Sequence, residues 1–145
     1  MKKVLILSLF LAVMVMGTRV SAQDKVYKDG SAWQVSFIKT EANMTDVYLN
    51  SLKDTWQKMH QEALKQGLIL SSKILASAAA NPDDFDIMLM VEYKNLAAME
   101  SSDEKWEAIS KTVIGGEDMM KKINEGRVNI RSIYGEKLFR EVVYK

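Results

Sequence analysis

LILSSKILASAAANPDDFDIMLMVEY, Leu68 to Tyr93, is the stretch that decides the fold. At its centre Asn81, Pro82, Asp83 and Asp84 form a strong turn signal. Downstream, Phe85, Ile87, Leu89, Val91 and Tyr93 alternate with Asp86, Met88, Met90 and Glu92, the period of a half-buried strand. Upstream, Leu68, Leu70, Ser72 and Ile74 share one face and Ile69, Ser71, Lys73 and Leu75 the other, a less cleanly two-sided strand. Together they predict an antiparallel hairpin.

Outward from the hairpin the chain is punctuated by helix signals. Gly67, just before it, is placed to stop a helix. Thr45 and Asp46 offer that helix an N-cap and an acidic first turn, and Leu49, Leu52, Trp56, Met59, His60 and Ala63 recur at helical spacing. Ahead of it Trp33, Val35 and Phe37 alternate with Gln34, Ser36 and Ile38, a first strand whose Trp33 face is the more apolar. After the hairpin a short helical piece spans Leu96 to Glu100. Ser101 and Glu104 then have the spacing of a capping box ahead of a helix with Trp106, Ile109 and Val113 on one stripe. Gly115 and Gly116 break it, a further helical turn or two runs to Gly126, and VNIRSIYGEKLFREVVYK (128–145) returns to β-branched and aromatic residues with an apolar tail.

The order β-α-β-β-α-β predicts an α+β, ferredoxin-like sandwich: a four-stranded antiparallel sheet with both helices on one face. Trp33, Val35, Phe37, Leu68, Leu70, Phe85, Ile87 and Leu89 are expected to meet the helices. The opposite face then carries Gln34, Ser36, Ile38, Met88, Met90 and Glu92. Four strands of about six residues cover roughly 19 by 20 Å, large enough for a semi-apolar face to call for a cover. A second sheet laid face to face would supply it, giving a dimer.

The N-terminus, MKKVLILSLFLAVMVMGTRVSAQDK, has two lysines, an apolar run from Val4 to Met16 and a small-residue pattern ending at Ala22. As a helix the run reaches only about 20 Å, short of a hydrocarbon core of roughly 30 Å. The expectation is a signal peptide over residues 1–22, an exported product that is periplasmic or secreted, and one domain over residues 23–145. With no cysteine, neither a lipid-modified N-terminal cysteine nor a disulfide framework is available. Loss of Lys2, Lys3 and Arg19 with the leader takes the formal net charge from +1 to −2, which does not suit a nucleic-acid binder.

The element order, the Trp56-x3-His60 pair, the segment EYKNLAAMES (92–101) and the late tail resemble the dimeric α/β-barrel superfamily, over about residues 31–143. That group includes antibiotic-biosynthesis-type monooxygenases, EthD-like and NIPSNAP-like proteins and haem-degrading oxygenases. The chain looks most like its exported members of no assigned activity. The resemblance implies a homodimer and a cleft between helices and sheet in which relatives hold apolar or aromatic ligands. The first strand offers Gln34 where haem-degrading relatives carry asparagine, and the one histidine, His60, lies on the first helix. That ligand set does not carry over, so haem enters only as a simple bound ligand and no cofactor is expected.

Trp56 and His60, four apart, stack along one helical face. Two readings follow. Trp56 is core and His60 a boundary histidine bonded to a carbonyl or water, or Trp33, Phe37, Tyr48, Trp56, His60 and Trp106 line a ligand cleft. There His60 would bond the ligand, ligate haem iron or serve as a general base, with Tyr48 or Gln34 as the second polar group within reach in the last case. Asp83, Asp84 and Asp86 read as turn residues rather than a cation site. A single histidine without cysteine does not make a zinc site, and no nucleophile elbow or phosphate loop is present.

Three functions therefore stand. The first is an exported homodimer that binds a small apolar or aromatic molecule without catalysis, its tail residues Leu138, Phe139, Val142 and Val143 reaching across the partner. The second is a cofactor-independent monooxygenase or isomerase with His60 as base. The third is an interaction module whose cleft is filled by its own side chains.

Overall fold

The computed structural model describes residues 25–145, so the expected leader lies outside the described residues. Strands β1 (Tyr27–Thr40), β2 (Ser71–Ala76), β3 (Ile87–Tyr93) and β4 (Arg131–Tyr144) form one sheet in the order β2-β3-β1-β4. All three pairings are antiparallel. Between β1 and β2 run α1 (Thr45–Leu52), a π-helical segment (Lys53–Gln57) and α2 (Lys58–Lys65). Between β3 and β4 run α3 (Leu96–Glu100), α4 (Asp103–Ile114) and α5 (Glu117–Arg127). This is the ferredoxin-like α+β fold that the element order predicts.

Gly67 ends the first helical unit as expected, with φ of +65°. The Leu68 N–H donates to the Ala63 carbonyl at 2.9 Å and the Gly67 N–H to the Leu64 carbonyl at 3.0 Å, the paired bonds of a left-handed helix stop. Two caps differ from expectation. Thr45 is the first helical residue rather than the cap, its hydroxyl spent on the Thr40 hydroxyl at 2.8 Å. Ser102, not Ser101, precedes α4, and its hydroxyl donates back to the Met99 carbonyl at 2.5 Å. The acidic turn is structural: Asp84 accepts from the Ala80 N–H, Asn81 from the Asp83 N–H, and Asp86 from the Thr40 N–H, each at 2.9 Å.

Register corrects the faces of β1. Trp33, Val35 and Phe37 stand opposite Glu92, Met90 and Met88, whereas Ala32, Gln34, Ser36 and Ile38 stand opposite Tyr93, Val91, Leu89 and Ile87. The second set meets the helices. Trp33, Val35 and Phe37 lie on the other face, where Phe85 packs edge-on against Phe37 with ring centroids 4.8 Å apart. Leu68 enters the core but Leu70 is half exposed. Apolarity identified the most apolar face of β1, and that is not the face the helices cover.

The core divides into two clusters, and the division makes the site. Under α2 and α4, Ala32, Met59, Ala63, Leu68, Ile69, Val91, Tyr93 and Ile109 pack together. Under α1, Ile38, Tyr48, Leu52, Ile87 and Leu89 form the second cluster. Trp56 packs against both. On β1 the residues between Ala32 and Ile38 on that face are Gln34, which is polar, and Ser36, which is small and polar; neither joins the clusters, and over them the layers do not close.

The C-terminal tail is not loose. Val142, Val143 and Tyr144 pair with Asp29, Lys28 and Tyr27, so the second half of β4 and the start of β1 make a two-stranded ribbon running past the end of β3. Two irregularities bend this long pair, one between Asp29 and Ala32 and one at Gly135, beside the extra residue Tyr134.

Candidate functional site

The gap over Gln34 and Ser36 is a cleft of about 680 Å³, within the range of small-molecule sites. Leu89 and Val91 continue its floor on β3. Its roof comes from Tyr48, Leu52, Thr55, Trp56, Met59 and His60, with Met99 and Trp106 at one end. Met120, Asn124 and Arg127, at i, i+4 and i+7 of α5, close one side, and Arg131, Ile133 and Glu136 of β4 border it along the sheet.

His60 is buried, 8% exposed. Its ring stacks on Trp56 with centroids 3.8 Å apart and 25° between planes, and Trp106 lies 5.0 Å away, tilted by 52°. The His60 Nδ1–H donates to the Trp56 carbonyl at 2.6 Å, which fixes the neutral tautomer with Nε2 as an acceptor. Burial pushes the imidazole pKa down to about 4, against a smaller upward pull from that hydrogen bond. At neutral pH the ring is an uncharged aromatic plate carrying one acceptor. A base is most effective with a pKa near the working pH, and this one lies well below it.

Trp106 is fixed by its Nε1–H, which donates to the Tyr93 hydroxyl at 3.1 Å. Burial raises the pKa of that phenol and of Tyr48 on the opposite side of the cleft, so both stay protonated.

The π-helical segment positions the polar end. Its wider turn carries Thr55 and Trp56, and π-helical turns within α-helices are frequent at functional sites. The Ser51 carbonyl at its entrance accepts from the Thr55 hydroxyl at 2.7 Å and from Arg127 Nη2 at 2.9 Å. Arg127 also donates through Nε to the Ser51 hydroxyl at 3.1 Å and through Nη2 to the Thr55 hydroxyl at 2.6 Å. Its guanidinium lies 5.7 Å from the centre of the Tyr48 ring.

Of the residues expected to line a ligand cleft, the structure brings Tyr48, Trp56, His60 and Trp106 together, and Gln34, expected as a second polar group, lies on its floor. Trp33 and Phe37 do not join them. They sit on the far face, where the Lys73 and Lys137 ammonium groups stand 5.3 and 5.7 Å from their respective ring centres.

No family model matches this chain, and no curated protein does. Solved structures do. A dimeric ferredoxin-like protein from an uncultured marine organism is 15% identical, with 81% of this chain and 90% of that one covered and a TM-score of 0.49. A NIPSNAP family protein of unknown function from Agrobacterium tumefaciens is 9% identical, covering 80% and 90%, with a TM-score of 0.49. A second dimeric ferredoxin-like protein from an uncultured marine organism is 16% identical, covering 81% and 95%, with a TM-score of 0.44. The likeness is one of fold.

Arg127, Arg131, Asn124 and Tyr93 also line the cleft and were not expected there. In sequence Arg127 is an ordinary member of a mixed-charge surface, and Arg131 is a polar residue of a predicted strand, suited to a surface or barrel-interior position. Only the i, i+4, i+7 stripe Met120, Asn124, Arg127 carried a signal, and it needed the knowledge that α5 faces the sheet.

Proposed function

We propose that the protein binds one small apolar or aromatic molecule per chain in the helix-sheet cleft, as an exported homodimer and without catalysis. The observation that carries this reading is the open cleft itself, about 680 Å³ walled by Trp56, His60 and Trp106 over a floor where β1 supplies Gln34 and Ser36. A module closed by its own side chains would have large residues at those two positions. His60, held neutral down to about pH 4, supports a binding role over that of a base.

Dimer formation is supported by the far face. Trp33, Phe37, Met88 and Met90 are only partly covered there, and Phe139 of β4 is 46% exposed beside Trp33. Two such sheets face to face would bury that patch, and the ribbon of β1 and β4 would reach past the sheet toward the partner.

The neutral fluorophore N-phenyl-1-naphthylamine tests the cleft. It is expected to bind saturably, one per chain, and to raise apparent stability by about 2.7 kcal/mol at a hundredfold excess over its Kd. Ser36→Phe, which fills the cleft floor, is expected to abolish binding while the chain stays folded. Binding that is absent in the wild type, or unchanged in Ser36→Phe, rejects the cleft as the site.

A further inference from the structure

Resting on that reading, we infer that the ligand is an acid: the cleft takes an aromatic or apolar body carrying a carboxylate, whose head group lies on Arg127 and Arg131 beside the Tyr48 hydroxyl. Arg127 is 7% exposed, and all three of its hydrogen bonds go to neutral groups, the Ser51 carbonyl and the Ser51 and Thr55 hydroxyls. Arg131 lines the same end of the cleft, and its Nε is buried with no hydrogen-bond partner among the described residues. The ion pairs of the described residues are Lys58–Asp54, Lys65–Glu62 and Arg140–Asp29, so neither cleft arginine is neutralised by a carboxylate.

Two guanidinium groups near one phenol, with no counter-charge, are an expensive arrangement to bury. A carboxylate satisfies it, since it brings the missing negative charge together with oxygens that accept from guanidinium N–H groups, where a neutral phenol or carbonyl ligand brings no charge. The acidic groups of the cleft do not serve. Glu136 accepts from the Ser36 hydroxyl at 2.9 Å, and Glu100 and Asp103 belong to the Trp106 end. Arg131 pairs with Thr40 at one end of β1 while Tyr93, close to Asp103, pairs with Ala32, a separation along the strand of about 26 Å. The site is therefore polarised: cationic at the β4 start, apolar and aromatic around Trp56 and His60, acidic at the far mouth. A flat acid would lie with its carboxylate at the β4 start and its apolar body against Trp56 and His60.

The test compares 2-naphthoate with 2-naphthamide, equal in shape and different in charge, by tryptophan fluorescence in Trp33→Phe, which leaves only the cleft tryptophans as reporters. The acid is expected to bind at least about tenfold more tightly, the ratio one charge-assisted hydrogen bond supplies. In an added Arg131→Gln background that preference should fall severalfold, Arg127 supplying what remains, while the amide binds as before. Equal affinity for acid and amide in the Trp33→Phe protein overturns the head-group assignment and leaves the cleft reading intact. A preference undiminished in Arg131→Gln overturns the assignment to this arginine. Failure of both naphthalenes where N-phenyl-1-naphthylamine still binds overturns the inference alone, and failure of all three takes the cleft reading with it.

Discussion

Acidification from pH 7 to pH 4 is expected to cost the fold about 3 kcal/mol through one side chain, His60. In the folded protein the imidazole pKa is about 4, against an ordinary value of 6.5. The unfolded chain therefore takes up the proton first as pH falls. The contribution is fully present above pH 6.5, is lost across the window from 6.5 down to 4 at up to about 1.4 kcal/mol per unit, and levels off below it. Urea unfolding at pH 7.5 and 4.5 checks this when the wild type is compared with His60→Gln, because carboxylates titrate alike in both. The wild type should lose about 2.5 kcal/mol more than the variant between those conditions, since pH 4.5 stops short of the folded-state pKa. Because His60 is the chain's only histidine, its ring proton resonances give a direct second reading, with a midpoint near pH 4 expected and one near 6.5 contradicting the buried, stacked ring.

A charge placed at the centre of the far sheet face is expected to leave a folded monomer. Val35 stands between Met90 and Lys137 in that sheet, with Trp33 and Phe37 on either side of it along the strand. Trp33→Glu combined with Phe37→Glu would oppose four carboxylates across a two-fold interface, each with a desolvation cost of several kcal/mol. A weakening of the dimer by at least about a thousandfold follows. Light scattering should find twice the chain mass for the wild type and the single chain mass for the variant, with far-UV circular dichroism unchanged. Equal masses reject the sheet face as the interface.

The residues that made the fold legible carry local signals. Gly67 needs a left-handed backbone, Asn81 to Asp84 read as a turn before any strand is drawn, and Leu49 to Ala63 keep helical spacing through the π-helical segment. The face of β1 was not legible, for a physical reason. Alternation reports which side of a strand is apolar, and a strand can turn that side toward another subunit while its small and polar side forms the floor of a cleft. Gln34 and Ser36 look like solvent residues because the space above them is open. His60 and Trp56 were legible as a stacked pair because both lie on one helix four residues apart. Arg127 was not, since its burial depends on where α5 docks and on the Ser51 carbonyl to which it donates.

The most direct test of the cleft as the binding site uses the three indole N–H signals of the wild type in a ¹⁵N correlation spectrum during titration with 2-naphthoate. Trp56 and Trp106 stand in the cleft and Trp33 on the opposite face of the sheet, so each signal reports one side. Binding in the cleft should give saturable shifts of the Trp56 and Trp106 signals, with the His60 ring protons moving at the same ligand concentration and Trp33 unmoved. Shifts confined to Trp33 would place the ligand on the far face and contradict it.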